Sequence, residues 1–123
     1  MEDTKKKTVL LGASANPARY SYLALKRLTA AQHPVVAIGA RDNNVDGTVI
    51  TKEHPPVENA DTITIYLNEK NQKQYYDYIL SLHPKRIIFN PGAENNELAE
   101  LAEANGIKTM EACTLVLLST GQF

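Results

Sequence analysis

Short apolar runs alternate along this chain with stretches whose apolar residues return at helical spacing, and that alternation limits the fold more than any other feature. Residues 8–11, 35–38, 62–67, 86–89 and 108–110 read as strands. Between the first two, Ser21, Ala24, Leu25 and Leu28 recur at i, i+3, i+4 and i+7, one helical face that ends before His33-Pro34. Tyr75, Tyr78, Ile79 and Leu82 repeat the spacing in a second helix, with Asn68 as its N-cap and Pro84 beyond its end. A third helix turns Leu98, Leu101 and Ala102 inward, shows Glu94, Glu97, Glu100 and Glu103 to solvent, and stops at Asn105-Gly106. Elements in this order pack as helices on a mostly parallel sheet of five strands, an α/β architecture. A sixth short strand fits 48–50, inside an irregular stretch (41–56) rich in Asn, Asp, Gly and Pro. Residues 112–118 fit a closing helix or strand equally well.

The first strand runs directly into Gly12-Ala13-Ser14-Ala15-Asn16-Pro17-Ala18-Arg19 before the first helix. A chain that leaves a buried strand through Gly, Ser and Asn and enters a helix turns several backbone N–H groups toward one point, a phosphate-binding arrangement. Of the dinucleotide pattern Gly-x-Gly-x-x-Gly only the first glycine is present; Ser14 and Pro17 stand in place of the others. The loop therefore specifies an anion without specifying which.

Composition excludes several classes of partner. The 123 residues suit one domain, and 43% hydrophobic content suffices for one core. With Lys+Arg 13 against Asp+Glu 14, the net charge of −1 provides no basic field for nucleic acid or an anionic membrane surface. The lone Cys113 forms no internal disulfide and His33, His54 and His83 are scattered, which suits the cytoplasm and no metal site. Lys5-Lys6-Lys7 precede an apolar run too short for a signal peptide or membrane span, so residues 1–7 read as a disordered or solvated end.

In open α/β sheets ligands collect at the carboxyl ends of the strands. Those ends deliver the loop just described, then Arg41, then Tyr66 and Leu67, then Asn90, Pro91 and Gly92, then Cys113. Arg19 can fork onto phosphate oxygens beside the helix N-terminus. Arg41 lies where an NAD site needs an acid, and a guanidinium there pairs with the 2′-phosphate of NADP or the 3′-phosphate of coenzyme A; as a loop arginine it is equally able to be solvated. Tyr66 and Leu67 offer a wall for adenine, or simply finish a core strand. Asn90, Pro91 and Gly92 form a turn whose amides face the same crevice. Cys113 reads as a small buried hydrophobe in preference to a nucleophile, for no histidine accompanies it. No Ser-His-Asp set or carboxylate pair assembles.

Across nearly its whole length the chain resembles the stand-alone coenzyme A-binding proteins, whose domain is also the nucleotide-binding half of the succinyl-CoA synthetase α subunit. The likeness is carried by Val9-Leu10-Leu11-Gly12-Ala13-Ser14 with Asn16-Pro17, Arg19, Ser21 and Tyr22. The stretch 61–66, Gly92 ahead of Asn96-Glu97-Leu98-Ala99, and Met110-Glu111 with Cys113 follow in order. The resemblance implies a Rossmann-like three-layer domain in which Gly12, Ser14, Asn16, Arg19 and Ser21 hold the pyrophosphate of coenzyme A or an acyl-CoA, with no catalysis. It departs at Tyr20, where proline is frequent, at Asn90-Pro91, and at Ala112 and Thr114 beside the cysteine. The synthetase's second domain, with its phosphorylated histidine, is not in this sequence. Two other readings compete: an NADP-dependent reductase, and a protein-interaction module with a vestigial crevice.

Overall fold

A computed structural model describes residues 5–123. Its strands are β1 (Thr8–Ala13), β2 (Val35–Gly39), β3 (Asn43–Val45), β4 (Thr48–Thr51), β5 (Thr62–Ile65), β6 (Arg86–Phe89) and β7 (Lys108–Glu111). Helices α1 (Tyr20–Ala30), α2 (Glu69–Gln72), α3 (Tyr76–Leu82), α4 (Asn96–Ala104) and α5 (Thr114–Ser119) complete it, with a 3-10 turn, Lys73–Tyr75, joining α2 to α3. All seven strands lie in one sheet, ordered β3-β4-β2-β1-β5-β6-β7. Every neighbouring pair is parallel except β3 with β4. Without β3, the parallel strands taken in chain order lie 3-2-1-4-5-6 across the sheet, the Rossmann arrangement.

Side chains alternate between the two faces as strand geometry requires. Val9, Leu11, Ile63, Ile65, Ile87 and Phe89 meet Tyr75 and Ile79 together with Leu98 and Ala102 of α4 on one face. Leu10 and Ala37 meet Ala24 and Leu25 of α1 on the other, where Leu115 of α5 also packs. Strands buried on both faces are the usual result when helices cover both sides of a parallel sheet.

The sheet exceeds the five or six strands expected because β3 is an extra one. Asn43-Asn44-Val45 buries only Val45, so it carries no apolar alternation to read. Its signal is instead Asp46-Gly47, both at positive φ (49° and 91°), the two-residue turn of a tight hairpin into β4. Asn68 caps its helix as expected, accepting from the Asn71 N–H, but that helix is broken into α2, the 3-10 turn and α3. Leu101 is 39% exposed and does not face inward. Residues 112–118 resolve as a short helix.

The expected loose N-terminal end falls partly on residues 1–4, which lie outside the described residues. Lys5 to Lys7 are held. Lys5 Nζ donates to the Ala31 carbonyl and Lys7 Nζ to that of Glu58, and the Lys6 N–H donates to His33 Nδ1.

Candidate functional site

Chain order reverses between β1 and β5: β1 leads away to β2 on one side, while β5, its other neighbour, leads to β6. Connections leaving the two strands in opposite directions open a crevice at their carboxyl ends. Gly12 lies at its base. The β1/β2 register shifts between Leu11 and Ala13, so Gly12 bulges out of the ladder at φ +89°. A Cβ there would come within 2.9 Å of the Tyr66 carbonyl oxygen and 3.2 Å of Leu67 Cδ2. Gly39, at the end of β2, is tighter still, a Cβ there falling 2.3 Å from the Ala13 carbonyl oxygen. Only glycine lets the ends of β1, β2 and β5 approach this closely.

Beyond Ala13 the loop organises itself through its acceptors. Ser14 Oγ accepts from the Asn16 N–H, Asn16 Oδ1 from the Ala18 N–H, and the Asn16 carbonyl from the Arg19 N–H. Those bonds spend the Asn16, Ala18 and Arg19 N–H groups within the loop, and the Ser14 hydroxyl hydrogen and the Asn16 amide hydrogens are left as the donors its side chains can offer a ligand. Arg19 is the N-cap of α1 and makes no side-chain capping bond, so the first-turn amides keep their positive character. Asn16, Pro17, Ala18 and Arg19 are exposed, and the bend is not packed shut. Ser21, by contrast, is 5% exposed, on the inward face with Ala24, Leu25 and Leu28. Arg41 is exposed between β2 and β3.

Several expected contacts are corrected. Tyr66 and Leu67 do not make one wall: Tyr66 packs with Ala15, Tyr22 and Leu115 on the α1 and α5 face, Leu67 with the opposite cluster. The buried Tyr66 hydroxyl has no hydrogen-bond partner among the described residues, and burial pushes the phenol far above its usual range. Asn90 is 1% exposed and committed inside the fold. Its amide nitrogen donates to Thr64 Oγ1 (2.7 Å) and the Ile65 carbonyl (2.9 Å), its Oδ1 accepts from the Thr114 N–H (2.8 Å), and its own N–H is spent on Ile65. The Gly92 N–H donates to Glu94 Oε1, and Pro91 has none, so this turn offers no amide to the crevice. Cys113 is half-buried, with a free thiol, at the N-cap of α5.

A buried amide pair was missed. Gln72 and Asn95 lie behind the β5–α2 and β6–α4 loops, and Asn95 Nδ2 donates to Gln72 Oε1 (2.9 Å). Both stand among polar residues in the sequence, so nothing there marks them as buried or says which loops they meet.

Two surface hollows lie away from the glycine loop. One of about 290 Å³ lies between residues 54–58 and α3; one of about 370 Å³ between α4 and β7 carries Glu100, Glu103 and Glu111. Among the described residues no group of three His, Cys, Asp or Glu could hold a metal ion. Among the described residues no helix is long and apolar enough to cross a membrane.

A family model described as CoA binding domain matches residues 6–119. A crystal structure of an uncharacterized protein is 48% identical with TM-score 0.94, covering 98% of this chain and 100% of that one. A hypothetical protein from Pyrococcus horikoshii OT3 is 20% identical (TM-score 0.83, 95% of this chain, 84% of that one). A conserved hypothetical protein from Pyrococcus furiosus is 24% identical (TM-score 0.77, 90% and 97%). These last two share the fold. Comparison with curated proteins gives no match.

Proposed function

The chain belongs to the CoA binding domain family, and from that premise we propose that it binds coenzyme A or an acyl-CoA as a small nucleotide cofactor and catalyses no reaction on it. The observation that carries the site is the loop after β1. The Ser14 hydroxyl hydrogen and the Asn16 amide hydrogens are uncommitted donors, and the loop opens onto the N-terminus of α1, which no side chain caps, beside Arg19. A diphosphate needs donors and positive charge, and these side chains with Arg19 and the helix N-terminus supply both. The bulge at Gly12 sets the course of that loop, since only glycine lets the end of β1 lie this close to the Tyr66 carbonyl and Leu67.

In this reading Gly12, Ala13, Ser14, Asn16, Pro17 and Arg19 surround the pyrophosphate, with Ser21 at the first turn of α1. Arg41 takes the 3′-phosphate, and Leu67, abutting Gly12, supplies apolar surface. Such a ligand suits a protein of the cytoplasm.

Calorimetric titration tests the proposal. Coenzyme A binds the wild-type protein, and Arg19→Ala weakens it by about tenfold or more, the loss of a charge-assisted pair. Dephospho-CoA binds more weakly than CoA; equal affinities would remove Arg41 from its role. Tighter binding of NADPH than of CoA, or no heat with CoA at all, would overturn the ligand assignment.

A further inference from the structure

We propose that Gln72 is a positioning residue of this crevice, holding two of its loops so that their carbonyl oxygens turn away from the bound anion. The inference rests on the ligand reading above. Gln72 is 0% exposed. Its Nε2 donates to the Leu67 carbonyl (2.8 Å), in the loop after β5, and to the Ala93 carbonyl (2.7 Å), in the loop after β6. Its Oε1 accepts from Asn95 Nδ2 (2.9 Å), which also donates to the Tyr76 hydroxyl (2.8 Å). Asn95 Oδ1 meanwhile accepts from the Leu98 N–H and caps α4. One amide thus ties together both loops and the start of α4.

The bracing reaches the anion loop directly. Leu67, whose carbonyl Gln72 holds, is the residue whose Cδ2 lies against Gly12, and the adjoining Tyr66 N–H donates to the Leu11 carbonyl (2.9 Å). Any swing of the β5–α2 loop therefore moves the wall of the Gly12 cradle. Carbonyls turned onto a buried donor point their negative ends away from a diphosphate, whereas carbonyls free to turn toward the crevice would repel it. The chemistry demands an amide: an aliphatic side chain leaves two carbonyls unpaired, and a carboxylate sets negative charge against both. A satisfied buried network fixes one geometry, and a preformed site avoids the cost of ordering loops on binding.

The test compares wild type with Gln72→Met and Gln72→Glu, titrating CoA well below each protein's melting midpoint. Both variants raise the Kd about tenfold, as loss of preorganisation does. A residue that served only stability would lower the midpoint and leave the Kd within twofold, and that result would overturn the assignment. Failure of the wild type to bind CoA would instead overturn the ligand reading, so the two failures are distinct. Where neither variant folds, NMR of the wild type decides. Added CoA shifts the Gln72 side-chain amide pair and slows its exchange with solvent; a pair unmoved at saturating CoA would overturn the proposal.

Discussion

Gly39 and Gly47 differ in what a methyl group would meet, and that difference sets the outcome of the same substitution. At Gly39 an added Cβ falls 2.3 Å from the Ala13 carbonyl oxygen, between two central strands that have no room to part. Gly39→Ala accordingly costs about 3 kcal/mol or more by denaturant titration, at the severe end for overpacking. At Gly47 nothing lies within 4 Å, and only the φ of +91° resists a side chain, so Gly47→Ala costs about 1–2 kcal/mol. Equal effects would contradict the close approach of β1 and β2. Tyr66 provides the opposite sign. Its hydroxyl is buried without a partner among the described residues, so Tyr66→Phe leaves the unfolding free energy unchanged or raises it by up to about 1 kcal/mol. A loss of stability would mean the hydroxyl is bonded.

Two segments are tied down by polar links from distant parts of the chain. Helix α5 (Thr114–Ser119) is too short to persist alone, and Asn90 reaches across from β6 to hold its first N–H while bonding Thr64 of β5. Asn90→Leu strands that buried N–H and costs about 2–3 kcal/mol in urea titration. Near-native stability would show that packing alone seats the helix. At the other end of the sheet, His33, on the α1–β2 connection, accepts the Lys6 N–H just ahead of β1. Burial lowers its pKa below 6.5, helped by Lys5, Lys6 and Arg86 and opposed by Asp61. Between that lowered value and 6.5 the unfolded chain binds more protons, so stability is full above about pH 6.5 and falls as the pH drops through the folded pKa. Melting midpoints taken from pH 7.5 down to 5 follow that slope, and His33→Gln flattens it. A variant as pH-sensitive as the wild type would place the proton elsewhere.

For the whole molecule, ligand binding and folding are linked. CoA at one hundred times its Kd adds about 2.7 kcal/mol to stability, which for a chain of this size raises the melting midpoint by about 10 °C. Neither the acidic α4–β7 hollow nor the one beside α3 takes part in that effect, so Glu100→Gln leaves the shift intact. A shift abolished by that change would move the ligand away from the glycine loop.

Much of this arrangement was legible in the residues. Strands β1, β2, β5 and β6 had apolar runs, Asn68 announced a helix start, and Gly12 through Arg19 announced an anion loop. Such features arise from neighbours along the chain: backbone hydrogen bonding sets the period, and glycine or a capping side chain acts within a few positions. The edge strand β3 escaped because its polar residues carry no alternation.

What only the tertiary structure decided is which polar groups remain available in the crevice. Asn90 reads as a ligand contact until Thr114 and Thr64, more than twenty positions away on either side, are seen to claim it. Tyr66 and Leu67 read as one wall until the chain leaving β5 sends them to opposite faces, and Gln72 reads as ordinary helix polarity until the carbonyls of two separate loops turn onto it. A buried donor or acceptor must find a partner. Chain order determined where the strands, helices and anion loop begin; the folded packing, by bringing distant partners within 3 Å, determined which of their side chains are left for a ligand.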